Sequence, residues 1–170
     1  MHRLWYFLIL FVSVILQQLF LVPLGKFLWG EPLLPIIVLV ILATAMGSVM
    51  AEGFGFFVGF IWGFVKIDTG LPQGIYPLLL TIIAFTLGRL LYDRFRAPGT
   101  LLLVICTAIV VPLWGLGNIA LKVVFVSAYL PSLLEFIHVF LSAVYSALLC
   151  FLVTPLLRRL LSRWEWNGSV

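Results

Sequence analysis

Residues 53–70, GFGFFVGFIWGFVKIDTG, decide how this chain folds. The stretch is apolar enough to lie in lipid, yet Gly55, Gly59 and Gly63 recur every four residues and a lysine, an aspartate and a threonine end it. Four residues turn a helix by about 400°, so the three glycines form one slowly drifting stripe. The spacing continues upstream through Ala43, Gly47 and Ala51, which form a small-residue counterpart on the preceding segment. In lipid little hydrophobic force brings helices together, and small residues let backbones approach closely enough for dispersion contacts to do so. The pattern predicts two antiparallel helices with a turn at Glu52–Gly53. The two stripes either pack on each other or, in part, face another membrane protein. Phe54, Phe56, Phe57, Phe60, Trp62 and Phe64 cover the remaining faces.

The rest of the chain has the same character. Of 170 residues, 64% are hydrophobic and 9% charged, with a mean hydropathy of +1.26. A soluble domain carries roughly 25% charged residues, so the composition specifies an all-α integral membrane protein of a single polytopic domain. Strands of a membrane barrel alternate apolar and polar residues, and no segment does so. About 20 residues per crossing allow six transmembrane helices, placed at 4–22, 33–51, 53–67, 76–92, 100–118 and 134–157. The first is long enough to span and has no small-residue cleavage site, so it is expected to be retained. The third, at 15 residues, reaches only about 22 Å across a hydrocarbon layer of about 30 Å. Residues 112–131, PLWGLGNIALKVVFVSAYLP, are interrupted by Pro112, Gly115 and Gly117. They read as the end of span five followed by an interfacial segment, with a continuous kinked helix over 100–128 as the alternative.

With a cytoplasmic N-terminus, Arg3, Arg89, Arg94, Arg96, Arg158, Arg159 and Arg163 fall inside, against Lys26, Lys66 and Lys122 outside. The positive-inside rule then places both termini in the cytoplasm. Each outer lysine has an acid in its own loop region: Glu31, Asp68 and Glu135. Trp164 and Trp166 suit an interfacial anchor. The charge of +4 serves orientation, and no basic, aromatic-lined face suggests nucleic acid.

The sequence assembles no catalytic set and calls for no cofactor. Glu135 and His138 share a helical face, but zinc needs three or four ligands and no further cluster is near. Phosphate-loop glycines and paired carboxylates are absent, and Ser142 and Ser146 have no adjacent base. These serines read instead as caps or as hydrogen-bonding groups between helices. Cys106 and Cys150 lie in apolar runs and read as small buried hydrophobes. Intramembrane polar groups are costly and often functional. Gln17 and Gln18 near the end of span one, Asp68, Arg89 (within reach of Asp93 at i+4) and Asn118 are therefore the polar candidates.

Four segments in order carry a family resemblance: ILQQLFLVPLG (15–25), GEPLLPIIVLVILA (30–43), the glycine-rich 53–91, and LSAVYSALLCFLVTPLLRRLL (141–161). Together they resemble the rod shape-determining protein MreD family over most of the chain. Gln17 or Gln18 matches the family's glutamine near the end of helix one, and Gly55, Gly59, Gly63, Asp68, Gly70 and Gly74 match its glycine-spaced third helix and following loop. Glu31–Pro32 reverses the family's proline–acidic pair, and Ser146 stands where an asparagine is usual after Tyr145. The resemblance implies a fold like the substrate-binding subunits of energy-coupling-factor vitamin transporters. It also implies a non-enzymatic inner-membrane component of the bacterial rod complex that partners MreC and acts with MreB, RodA and a class B penicillin-binding transpeptidase in lateral peptidoglycan synthesis. A substrate-binding subunit of a small-molecule transporter is the competing expectation, with Gln18, Tyr76, Asn118 and Tyr129 its best polar contacts. A lipid-modifying enzyme ranks last, for want of acid and base residues.

Overall fold

The structure is a computed structural model that describes residues 2–65, 71–72, 74–92, 99–127 and 129–166. Asp68, with Lys66, Asp93, Arg94 and Arg96, lies outside the described residues. Among those described there are only helices: α1 (His2–Leu16), α2 (Val22–Leu28), α3 (Leu34–Met46), α4 (Ser48–Val65), α5 (Ile75–Leu87), α6 (Thr100–Phe125) and α7 (Leu133–Trp166). A π-helical turn at Gln17–Leu21 joins α1 to α2, and a second at Gly88–Tyr92 extends α5. Five stretches are long and apolar enough to cross a membrane: Leu4–Gly25, Ser48–Val65, Ile75–Tyr92, Thr100–Phe125 and Leu133–Arg159. The protein is an all-helical membrane protein.

The second expected span departs most from expectation. Instead of one helix over 33–51, α3 stops at Met46 and α4 begins at Ser48. The turn lies at Gly47, not at Glu52–Gly53, and Ala51, Glu52 and Gly53 are inside α4. Gly47 has φ +81° and ψ 173°, a backbone region essentially restricted to glycine. In sequence a glycine that breaks a helix looks the same as one that packs it. The displaced boundary lengthens the third expected span from 15 residues to the 18 of α4. It leaves α3, with 13 residues, as the short helix, about 20 Å long.

That short helix is the core. Every residue from Pro35 to Thr44 is buried, and α1, α4, α5, α6 and α7 all pack against it. Its unbroken run of apolar residues is what a helix surrounded on every side requires. The outer helices expose their apolar side chains instead, among them Leu8 and Phe11 of α1, Ile105 and Ile109 of α6, and Leu148 and Phe151 of α7. An apolar exterior around an apolar core is the pattern lipid contact imposes.

The glycine stripe is spent on a neighbour other than the expected one. Ala51, Gly55, Gly59 and Gly63 are all buried on α4, but the helix that Gly55 and Gly59 approach is α5 rather than α3. A Cβ at Gly55 would lie 2.5 Å from the Leu80 carbonyl oxygen, and one at Gly59 would lie 2.5 Å from Pro77 Cα. The register closes at Gly88, where an added Cβ would stand 2.7 Å from Ser48 Cα. Ala43 is separated from this stripe by the Gly47 break and is buried in α3.

α6 is continuous to Phe125, which replaces the interfacial segment expected over 112–131 with the kinked-helix alternative. Pro112 removes one hydrogen bond without ending the helix, as neighbouring helices allow in a membrane. Gly115 and Gly117 serve as contacts: a Cβ at Gly115 would meet the Val139 methyls at 2.7 Å, and one at Gly117 would meet Leu79 at 3.2 Å. α7 runs on from the expected 134–157 to Trp166, and its 34 residues extend about 51 Å. Ser142, Ser146, Cys150 and Thr154 form its buried face, with Thr107 Oγ1 3.4 Å from Cys150 Sγ.

Candidate functional site

The bundle has two faces. One holds the start of α1, the Gly47 break and the end of α7; the distal face holds the loops before α3 and α7. At the distal face the start of α3 is packed within the bundle, so its first N–H groups, which have no partner in their own helix, need acceptors from elsewhere. Three side chains from other helices provide them. Ser142 Oγ accepts from Glu31 N–H at 2.9 Å, Ser146 Oγ from Leu33 N–H at 2.8 Å, and Gln17 Oε1 from Leu34 N–H at 2.9 Å.

The π-helical turn explains why Gln17 can do this. Val22 N–H reaches back five residues to Gln17 O, just before Pro23, which has no N–H to give and whose ring crowds the preceding turn. The extra residue in the turn leaves Gln17 fully buried and Gln18 only half-buried. Of the two glutamines expected to matter, Gln17 is the one placed in the core. Its Nε2 is buried and has no hydrogen-bond partner among the described residues.

Beside this cap lies an open cavity of about 240 Å³, lined by the Glu31 loop, the end of α4, the start of α5, the second half of α6 and the start of α7. Trp62, Tyr76 and Trp114 form its aromatic lining, with Trp62 and Trp114 edge to face at 5.9 Å and Tyr76 tilted at 5.7 Å from Trp114. The polar lining is Glu31, Asn118, Lys122, Glu135, His138 and Ser142.

Most of these polar groups are already engaged. Asn118 donates to Trp114 O at 2.8 Å, and Ser142 holds the Glu31 N–H. Ser132 and Glu135 form a reciprocal cap at the start of α7: Glu135 N–H donates to Ser132 Oγ and Ser132 N–H to Glu135 Oε2, each at 3.3 Å. The Tyr129 hydroxyl donates to the same carboxylate oxygen at 2.5 Å, and Lys122 Nζ lies 5.4 Å from the Tyr129 ring centroid.

Tyr129 sits in the α6–α7 loop, and its phenol is pushed up to about 12 by desolvation and by the hydrogen bond and charge of Glu135. A raised value means the contribution of this link to stability is complete below the ordinary tyrosine value near 10. It is lost as pH climbs through about 12. Ultraviolet titration of wild type minus Tyr129→Phe should therefore show one phenol ionising near 12; a difference curve centred near 10 would contradict the link.

A second concavity, about 450 Å³, runs between α4 and α5 toward lipid. Gly63, Gly74, Pro77, Leu78 and Thr81 line it together with Phe56, Phe60 and Phe64. Those three phenylalanines form an exposed ladder, with ring centroids 6.1 Å apart for Phe56–Phe60 and 4.8 Å for Phe60–Phe64.

Of the polar residues singled out from sequence, the structure thus brings Asn118 into the cavity and Gln17 into the cap. Arg89 is exposed on the second π-helical turn. In sequence Glu31 and Lys122 are loop-region charges and Glu135 shares a helical face with His138; their convergence on one cavity is a product of the fold. One local signal was legible: Ser132-x-x-Glu135 after Pro131 has the capping-box spacing. No group of three or more metal-ligating side chains occurs among the described residues. No family model, curated protein or solved structure matches the chain.

Proposed function

We propose that this chain is a non-enzymatic scaffold of the bacterial rod complex, seated in the inner membrane with both termini cytoplasmic, and that it binds MreC there. The fold proposed is that of the substrate-binding subunits of energy-coupling-factor transporters, with α3 as the short central pass. MreB, RodA and the class B penicillin-binding transpeptidase would be joined through the assembled complex in lateral wall synthesis.

The resemblance of the four quoted segments motivates this reading, and the α4–α5 groove is the observation that carries it. Gly55 and Gly59 are used up on α5, whereas Gly63 lies in a lipid-facing groove walled by Phe56, Phe60 and Phe64. A small residue beside protruding aromatics offers a partner helix both close approach and side chains to grip. Co-expression with MreC and affinity purification in mild detergent should recover MreC with the wild-type chain. Phe60→Ala should cut recovery at least about fivefold, the loss of about 1 kcal/mol expected of a truncated interface anchor. Failure to recover MreC with the wild type would overturn the proposal.

The distal cavity favours a second reading, a substrate-binding subunit of a small-molecule transporter. Tyr76 and Asn118, among the best contacts expected for that role, both line it. Sub-micromolar binding of any member of a vitamin panel would put this reading first.

A further inference from the structure

We infer that the distal cavity is a binding site for a small organic cation, its ammonium group taken by the Glu31 carboxylate against the rings of Trp62 and Trp114. The inference rests on the chemistry of the cavity and on neither reading above. Three features set the ligand class.

The first is charge. With histidine counted neutral, the lining carries two carboxylates, Glu31 and Glu135, against the single ammonium of Lys122. Lys122 stands over the Tyr129 ring, and the Tyr129 hydroxyl is bonded to Glu135, so those opposite charges are linked to each other through one side chain. The Glu31 backbone N–H is bound to Ser142, but its carboxylate has no hydrogen bond or ion pair among the described residues. It is the unmatched charge of the cavity, and a half-buried carboxylate is stabilised by a cation.

The second feature is the aromatic lining. Electron-rich ring faces beside a carboxylate recognise alkylammonium groups, which bind aromatic surfaces through their positive charge while offering them an apolar envelope. Trp62, Tyr76 and Trp114 are each nearly buried in the fold, and Trp114 packs against both of the others beside this space.

The third is size. About 240 Å³ lies below the ~300–1,000 Å³ of drug-sized sites. A choline- or ethanolamine-sized group fits that volume. Such an ammonium could arrive as a free solute or as the headgroup of a lipid at the membrane boundary.

The test uses the full chain in nanodiscs of phosphatidylglycerol alone, titrated with choline and with its uncharged carbon isostere. Binding is read by calorimetry and tryptophan fluorescence. Choline should saturate, and the isostere should bind at least about tenfold more weakly. Glu31→Gln, which keeps the backbone bond to Ser142, should weaken choline about tenfold while leaving the melting temperature unchanged. If the lipid is the source, nanodiscs containing phosphatidylethanolamine should raise the melting temperature of the wild type but not of Glu31→Gln, and should weaken apparent choline binding. If a free solute is the source, the lipid exchange should change neither. Absence of a saturable choline response up to about 10 mM, together with no stabilisation by phosphatidylethanolamine, would overturn the inference. Equal binding of the uncharged isostere, or wild-type binding by Glu31→Gln, would overturn it as well.

Discussion

Gly59→Leu is expected to abolish recovery of folded, monodisperse protein, whereas Gly53→Leu on the same helix is expected to behave as wild type. At Gly59 even a Cβ would stand 2.5 Å from Pro77 Cα, 2.6 Å from Tyr76 O and 2.7 Å from Pro77 N. All three are backbone atoms, so no side-chain rotation relieves the overlap and α4 and α5 must separate. Overpacking a core ordinarily costs about 1–3 kcal/mol. Separation of two backbones also forfeits the contacts at Gly55 and Gly88, against a total stability of about 5–15 kcal/mol. Gly53 has nothing within 4 Å of an added Cβ and is exposed. Gly59→Ala should fall between the two. Size-exclusion profiles and thermal unfolding in detergent read all three, and a Gly59→Leu protein with wild-type melting would refute the α4–α5 register. In a rod-shaped host carrying the scaffold function proposed here, the same substitution should also lose cell shape.

Ser146→Ala is expected to cost about 1–3 kcal/mol, because it removes the acceptor of the buried Leu33 N–H. Ser142→Ala should cost less, since the Glu31 N–H it serves is only partly buried. Gln17→Leu removes the acceptor for Leu34 but also deletes the buried, unpaired Nε2, so the two effects oppose each other. Thermal unfolding of the three variants should rank Ser146→Ala as the most damaging. Equal melting of Ser146→Ala and wild type would mean that another group caps the start of α3.

These two results probe what was legible in different ways. That Gly55, Gly59 and Gly63 form a close-packing stripe follows from their spacing alone, because four-residue spacing on a helix is a geometric fact. Which helix they meet does not follow, since α3 and α5 are both apolar and both adjacent in the chain. Ser146 and Gln17 were identifiable as interhelical hydrogen-bonding groups from their isolation in apolar runs. Their common target was hidden, because it is a backbone segment more than a hundred residues from Ser146.

Composition and the spacing of apolar runs by themselves determined the class of this protein, the general positions of its helices and the residues fit for close backbone approach. These are local properties, set by hydropathy and by the rise and turn of a helix. Tertiary structure decided that Gly47 breaks the chain while Gly55 and Gly59 pack it, that α6 continues through Pro112, and that Glu31, Lys122 and Glu135 surround one cavity. The physical reason is shared by all three. A glycine, a proline or a charge has several locally acceptable roles in a membrane helix, and only the neighbour that fills or vacates the adjoining space selects among them.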